Sequence, residues 1–302
     1  PEPRTIEDLL SLAYFAGWGS AANFDAELIA HQVLLAIGEG RFAEIAPLVV
    51  NPDDALSEGE NVARTHSPQR WAGATAPPSA WTRSGWRHQG LGGSNNWAIS
   101  GAKNGSPAAV VTNDPHLDSR LLPGSWHPVG LITPELRVVG VASALPGVII
   151  GRNEQVAFGV TNAYADAVDV YLETINPDNP GHYLEGAQSY PFEQVNEVIR
   201  IKDESETNGF REYSLTIRFT HRGPVISDSE TTGDEGTVMT MRWASAEYMS
   251  LELGLDALMQ AKTIEDALAA VESLKNVSLN FVVGDVTGRV ARRASGAAPI
   301  RL

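Results

Sequence analysis

Ser94, His116 and Asp114 are the side chains whose types and spacing could do nucleophilic chemistry. Ser94 stands in QGLGGSNNWAIS, directly after Gly92-Gly93 and at the mouth of an apolar strand. That strand runs out at about 3.3 Å per residue, GAKNGS turns the chain, and PAAVVTNDPHL returns over a similar length. Chain length alone therefore delivers Asp114 and His116 to the neighbourhood of Ser94. The nucleophile-elbow pattern G-x-S-x-G is absent, the local string being G-G-S-N-N. One reading is a Ser-His-Asp hydrolase built from Ser94, His116 and Asp114. Another is that cleavage of the preceding bond frees the α-amine of Ser94. Such an amine titrates at roughly pH 7.7–8.0 in model peptides and can take the hydroxyl proton through a bridging water. Gly93 would then supply the backbone freedom for Ser94 Oγ to attack the Gly93 carbonyl, an N-to-O acyl shift followed by hydrolysis. Gly-Gly-Ser is also ordinary linker composition, so these residues leave the alternatives open.

The elements that must position them can be read from pattern. Thr5 caps a helix whose third residue is Asp8, with Leu9, Leu12, Ala13 and Ala16 on one face, and a second helix starts near Asp25. Residues 1–50 are therefore a helical segment. Residues 51–93 are rich in Pro, Gly, Ser and Ala without a sustained period and read as a linker or spacer. Residues 94–302 switch to short strands over 95–100, 108–112, 136–142, 148–150, 156–160, 168–174, 195–201, 213–219 and 237–243. A capped helix over 263–275 repeats the T-I-E-D opening, and a last hairpin turns at Asp285–Gly288. The fold class is α+β with a large, mainly antiparallel sheet system.

The 302 residues carry 43% hydrophobic residues, ample for a core. Lys and Arg number 22 against 37 Asp and Glu, a net charge of −15 with no basic cluster, which argues against nucleic acid or an anionic membrane as partner. The longest apolar stretch, 138–150, is too short for a bilayer span and is broken by Gly140, Pro146 and Gly147. With no cysteine there is no disulfide framework, thiolate metal site or catalytic thiol. The two ends read as those of a piece excised from a longer precursor.

GSNNWAISG, VTNDPHL, LPGVIIGRNEQVAFGVTN, DAVDVY and LNFVVGDVTGRV with SGAAPIR, in that order, resemble the penicillin acylase family of N-terminal nucleophile hydrolases. The resemblance runs from Thr5 to Leu302. It implies a four-layer αββα sandwich and autocatalytic cleavage between Gly93 and Ser94. The products would be an α/β heterodimer, with residues 1–50 the end of the α subunit and 94–302 the start of the catalytic β subunit. The new N-terminal Ser94 would hydrolyse a small-molecule acyl-amide. His116 matches the histidine of the cephalosporin, lactone-signal and lipopeptide acylases, whose orienting glutamate lies beyond residue 302. Asn280 and the backbone N–H of Asn162 match the oxyanion donors, each contributing about 2.7–4 kcal/mol by the usual mutational yardstick. Arg301 matches an arginine that orients the site. Glu27, Asp166, the Val168 carbonyl and Asp169 match a structural calcium site made of hard oxygen ligands; no organic cofactor is implied. Gly17, Ala21, Leu117 and Ile150 match the acyl pocket, where smaller walls point to an aliphatic or bulky acyl group over phenylacetyl. A periplasmic or secreted address follows from the resemblance alone. The rival expectation is an unprocessed, non-catalytic β-rich binding module on the same scaffold.

Overall fold

The computed structural model describes residues 5–21, 24–45, 94–117, 124–143, 146–227, 236–248 and 253–300. Its first element begins at the expected cap. The Asp8 N–H donates to Thr5 Oγ1 at 3.2 Å and the Thr5 N–H donates to Asp8 Oδ2 at 2.8 Å, a reciprocal box that satisfies two donors a helix start leaves over. Behind it runs α1 (Ile6–Ala21), followed by α2 (Phe24–Ile37) and α3 (Glu39–Ile45). Next come β1 (Asn95–Ile99), α4 (Gly101–Asn104), β2 (Val110–Asp114), β3 (His127–Ile132), β4 (Arg137–Ala142), β5 (Ile150–Arg152) and β6 (Val156–Asn162). The middle of the chain holds β7 (Val168–Ile175), β8 (His182–Glu185), β9 (Gln188–Pro191), β10 (Glu193–Lys202), β11 (Phe210–Thr220), β12 (Gly223–Pro224) and β13 (Thr237–Trp243). The chain then forms α5 (Leu255–Gln260), α6 (Ile264–Ser273), β14 (Leu279–Asp285) and β15 (Val290–Ala294). Among the described residues no helix is long and apolar enough to cross a membrane.

Among the described residues the chain divides into two compact units, one holding α1, β1 to β6 and the residues from Trp243 onward, the other α2, α3 and the residues between Asp169 and Arg242. In the first, an antiparallel sheet runs in the order β15-β14-β6-β5-β4-β3. Strand alternation sends Val156, Phe158, Val160, Phe281 and Val283 to one face, where they form a buried core with Leu255, Leu258 and Met259 of α5 and Ile264, Ala267 and Val271 of α6. α6 presents those residues at helical spacing, and its start repeats the α1 box: Thr263 Oγ1 accepts from Asp266 N–H at 3.1 Å and Asp266 Oδ2 from Thr263 N–H at 3.0 Å. Thr263→Ala is expected to cost about 1 kcal/mol, read as a lower urea midpoint with an unchanged slope.

The opposite face of the sheet carries Asn280, Gly159 and Thr161, and on it lies the β1–β2 hairpin, a two-stranded sheet of its own. The hairpin comes close because Gly159 has no side chain: a Cβ there would stand 2.8 Å from Asn113 Oδ1. Helices, sheet and hairpin thus stack as three layers of the expected sandwich.

The second unit holds a four-stranded sheet, β13-β7-β8-β9, and a three-stranded sheet, β10-β11-β12. Tyr183, Phe192 and Val238 form its apolar cluster. Beside them the buried carboxylate of Glu173 accepts from Arg222 Nη1 at 3.0 and 2.9 Å on its two oxygens, and from the Thr220 and Thr240 hydroxyls at 3.2 and 3.0 Å. Several elements were not foreseen. β8 and β9 contain no β-branched residue, and β3 opens with His127-Pro128; a proline is tolerated because β3 is an edge strand.

Candidate active site

Register places the three residues first singled out. β1 and β2 pair antiparallel with Asn95 opposite Asp114 and Asn96 opposite Asn113, so Ser94 enters where the returning strand leaves. The backbone N–H of His116 donates to Ser94 Oγ at 3.4 Å. The imidazole turns elsewhere: its Nε2 lies 2.8 Å from Asp114 Oδ2. The Asn95 amide Nδ2 lies 3.5 Å from the same carboxylate oxygen and 3.4 Å from Nε2. A Ser-His-Asp relay through the ring is therefore not assembled, because the imidazole faces the carboxylate and only the His116 backbone faces the serine.

The hydrogen bond from His116, aided by Asn95 and opposed by partial desolvation, holds the Asp114 carboxyl below the usual carboxylate range. A depressed carboxyl stabilises the fold above its unfolded value, about 3.9, and loses that contribution as pH falls through the folded value. Asp114→Asn is thus expected to lower the melting temperature near neutrality. The gap from the parent should close on acidification below pH ~4, and a gap that is constant across a pH series of thermal melts would refute the assignment.

Side-chain amides form the floor of the site. Asn113 treats the β6 backbone as a neighbouring strand would: its Nδ2 donates to Val160 O and to Asn95 O, both at 2.9 Å, and its Oδ1 accepts from Val160 N–H at 2.6 Å. Asn96 Nδ2 donates to Asn280 O at 2.9 Å and to Gly159 O at 3.2 Å. Asn280 Nδ2 donates to Asn96 Oδ1 and Thr161 Oγ1, each at 3.1 Å, while Asn280 Oδ1 accepts from Arg292 Nε. The amide expected to face an oxyanion is therefore on the hairpin side of the sheet, with its protons engaged by neutral protein acceptors. Asn162 ends β6 opposite Leu279, and its Oδ1 accepts from Tyr164 N–H at 2.8 Å. That bond braces the exposed Tyr164 at φ 50°, a left-handed conformation unusual for a side chain of this bulk.

Other expected residues take different places. Gly93 and Arg301 lie outside the described residues, as do residues 51–92 and the side chain of Ala21. Gly17 is buried in α1, and a Cβ on it would run into the Asn276 carbonyl oxygen, so backbone fills the space that its small size was expected to leave for an acyl chain. Ile150 packs against the main core, and Leu117 is exposed next to His116. Of the calcium residues, Glu27 Oε2 accepts from the Val170 N–H at 2.7 Å. Among the described residues no group of three or more His, Cys, Asp or Glu side chains is placed to hold a metal ion.

Sequence reading missed Asn96, Asn113, Thr161 and Arg292. Alternation carried a signal for the first two: Asn96 and Ala98 share the inward face of NNWAI, Asn113 and Val111 that of VVTND, so each hairpin strand points one amide into an otherwise apolar layer. No local pattern marks Arg292.

A hairpin laid over an antiparallel sheet, with helices beneath and Ser94 at the hairpin's mouth, makes an α+β fold. It matches the thermostable penicillin G acylase of Alcaligenes faecalis with a TM-score of 0.55 at 24% identity, over 67% of this chain and 35% of that one. The chain belongs to the penicillin amidase family, whose model matches residues 1–302. It is 26% identical to the acyl-homoserine lactone acylase QuiP of Pseudomonas aeruginosa, over 98% of this chain and 36% of that protein. It is 27% identical to the penicillin acylase 2 proenzyme of a Pseudomonas species, over 70% of this chain and 26% of that protein. The chain thus spans about a third or less of the length of these acylases.

Proposed function

We propose that this chain carries the nucleophile of an amidohydrolase activated by scission between Gly93 and Ser94. In maturation Ser94 Oγ attacks the Gly93 carbonyl carbon, the C–N bond breaks as the acyl group moves to oxygen, and water hydrolyses the ester, leaving an α-amine on Ser94. In turnover that amine takes the Oγ proton through water while Oγ attacks the substrate carbonyl. The oxyanion accepts from the Asn162 backbone N–H and from Asn280 Nδ2, which gives up one of its neutral partners. The proton then passes to the departing amine, and water cleaves the acyl-serine ester.

The observation that carries this reading is the contact of Ser94 Oγ with the His116 N–H at the strand mouth, beside the Asn96–Asn280 bridge. The similarity to acylases of acyl-homoserine lactones and penicillins supports an acyl-amide as substrate. Gly17 does not support the expected aliphatic or bulky acyl preference, because the Asn276 carbonyl oxygen occupies the position a Cβ would take. N-terminal sequencing of the purified protein tests the first step. A second terminus reading Ser-Asn-Asn-Trp is expected; one intact chain that still hydrolyses amides would remove the mechanism.

A further inference from the structure

We infer that Arg292 is a positioning residue for the Asn280 oxyanion donor, an inference that rests on the reading of Ser94 and Asn280 above. Arg292 lies opposite Val282 across the β14–β15 ladder, and alternation puts Asn280 and Val282 on one face of β14, the hairpin side. Its Nε donates to Asn280 Oδ1. Among the described residues no carboxylate pairs with Arg292. Its neighbour Arg293 faces the other way and holds Glu272 of α6 at 2.8 Å, so two adjacent arginines do separate work on the two faces of the sheet.

Arg292 changes the Asn280 amide in two ways. A carboxamide can turn end for end at almost no steric cost, since its oxygen and nitrogen are nearly the same size. A guanidinium N–H can only donate, so it accepts nothing but the Oδ1 end and directs Nδ2 toward Asn96 and Thr161, on the serine's side of the sheet. A charged donor on the carbonyl also draws electron density from the amide nitrogen and strengthens its N–H as a donor. Negative charge on the substrate oxygen develops only during the reaction, so the benefit falls on the transition state and is read in kcat.

Steady-state kinetics on the processed full-length protein with decanoyl para-nitroanilide test the role. Arg292→Met should lower kcat by roughly 10-fold or more, as for loss of a charged hydrogen bond, with KM little changed. Added guanidinium should restore part of the rate in the Met variant, because the site is exposed. Arg292→Lys should fall between the two and serves if the Met variant does not fold, while Arg293→Met should keep the parent kcat. Parent kcat in Arg292→Met, or a loss that guanidinium leaves untouched, overturns the inference. Failure of the underlying reading looks different: Ser94→Ala or Asn280→Ala would then turn over like the parent, whereas failure of the Arg292 role alone leaves those two inactive.

Discussion

Ser94→Ala should yield a single uncut chain and remove amide turnover by a factor on the order of 10⁴ or more, the scale seen when a catalytic nucleophile is deleted. Both losses trace to one atom, since Oγ would attack Gly93 in maturation and the substrate carbonyl in turnover. The fold should survive, because Oγ's contact is a 3.4 Å bond from the His116 N–H at a half-buried strand mouth. Ser94→Cys separates the two steps, since a thiol can perform the acyl shift with a different dependence on pH. Mass spectrometry and a nitroanilide assay on the three proteins are sufficient. Scission in Ser94→Ala, or turnover in it at the parent rate, would end the case for this serine.

The largest expected effect on stability lies in the second unit. Arg222→Met should cost about 3–5 kcal/mol, the penalty for stripping a buried charge of its counterion. Glu173 is 3% exposed and takes both oxygens' strongest bonds from Arg222 Nη1, while Nη2 reaches Glu185 at 3.1 Å. The Thr220 and Thr240 hydroxyls would remain, but two neutral donors do not solvate a carboxylate as a guanidinium does. Arg222→Met with Glu173→Gln should recover much of the loss, because no unpaired charge is then left. Urea denaturation of the two variants decides between this and simple loss of packing, in which case the double variant would be no better than the single.

The hairpin and its delivery of His116 to Ser94 were legible because they depend only on strand length and a turn, and both T-I-E-D boxes because a capping box is local. The side that each group presents was not legible. The approach of the His116 backbone, with its ring turned to Asp114, depends on rotamers that spacing does not encode. Gly17 looked like spare volume because a missing side chain reads alike whether solvent, ligand or backbone fills the gap; the Asn276 carbonyl fills it. Arg292 was invisible because its partner is twelve residues away across a ladder, and only the register shows that they meet.

The amide rungs under the hairpin act as a ratchet pawl. In a pleated ribbon a slip of one residue turns every side chain over, which would swing Asn96 and Asn113 out to water and drive the bulky Trp97 onto the face that Asn96 now presents to the sheet. Misaligned seating is thus penalised twice, once by orphaned main-chain groups at Val160 and once by bulk. Under the proposed maturation that intolerance has a use, because only the aligned seating holds Ser94 at the strand mouth against the His116 N–H.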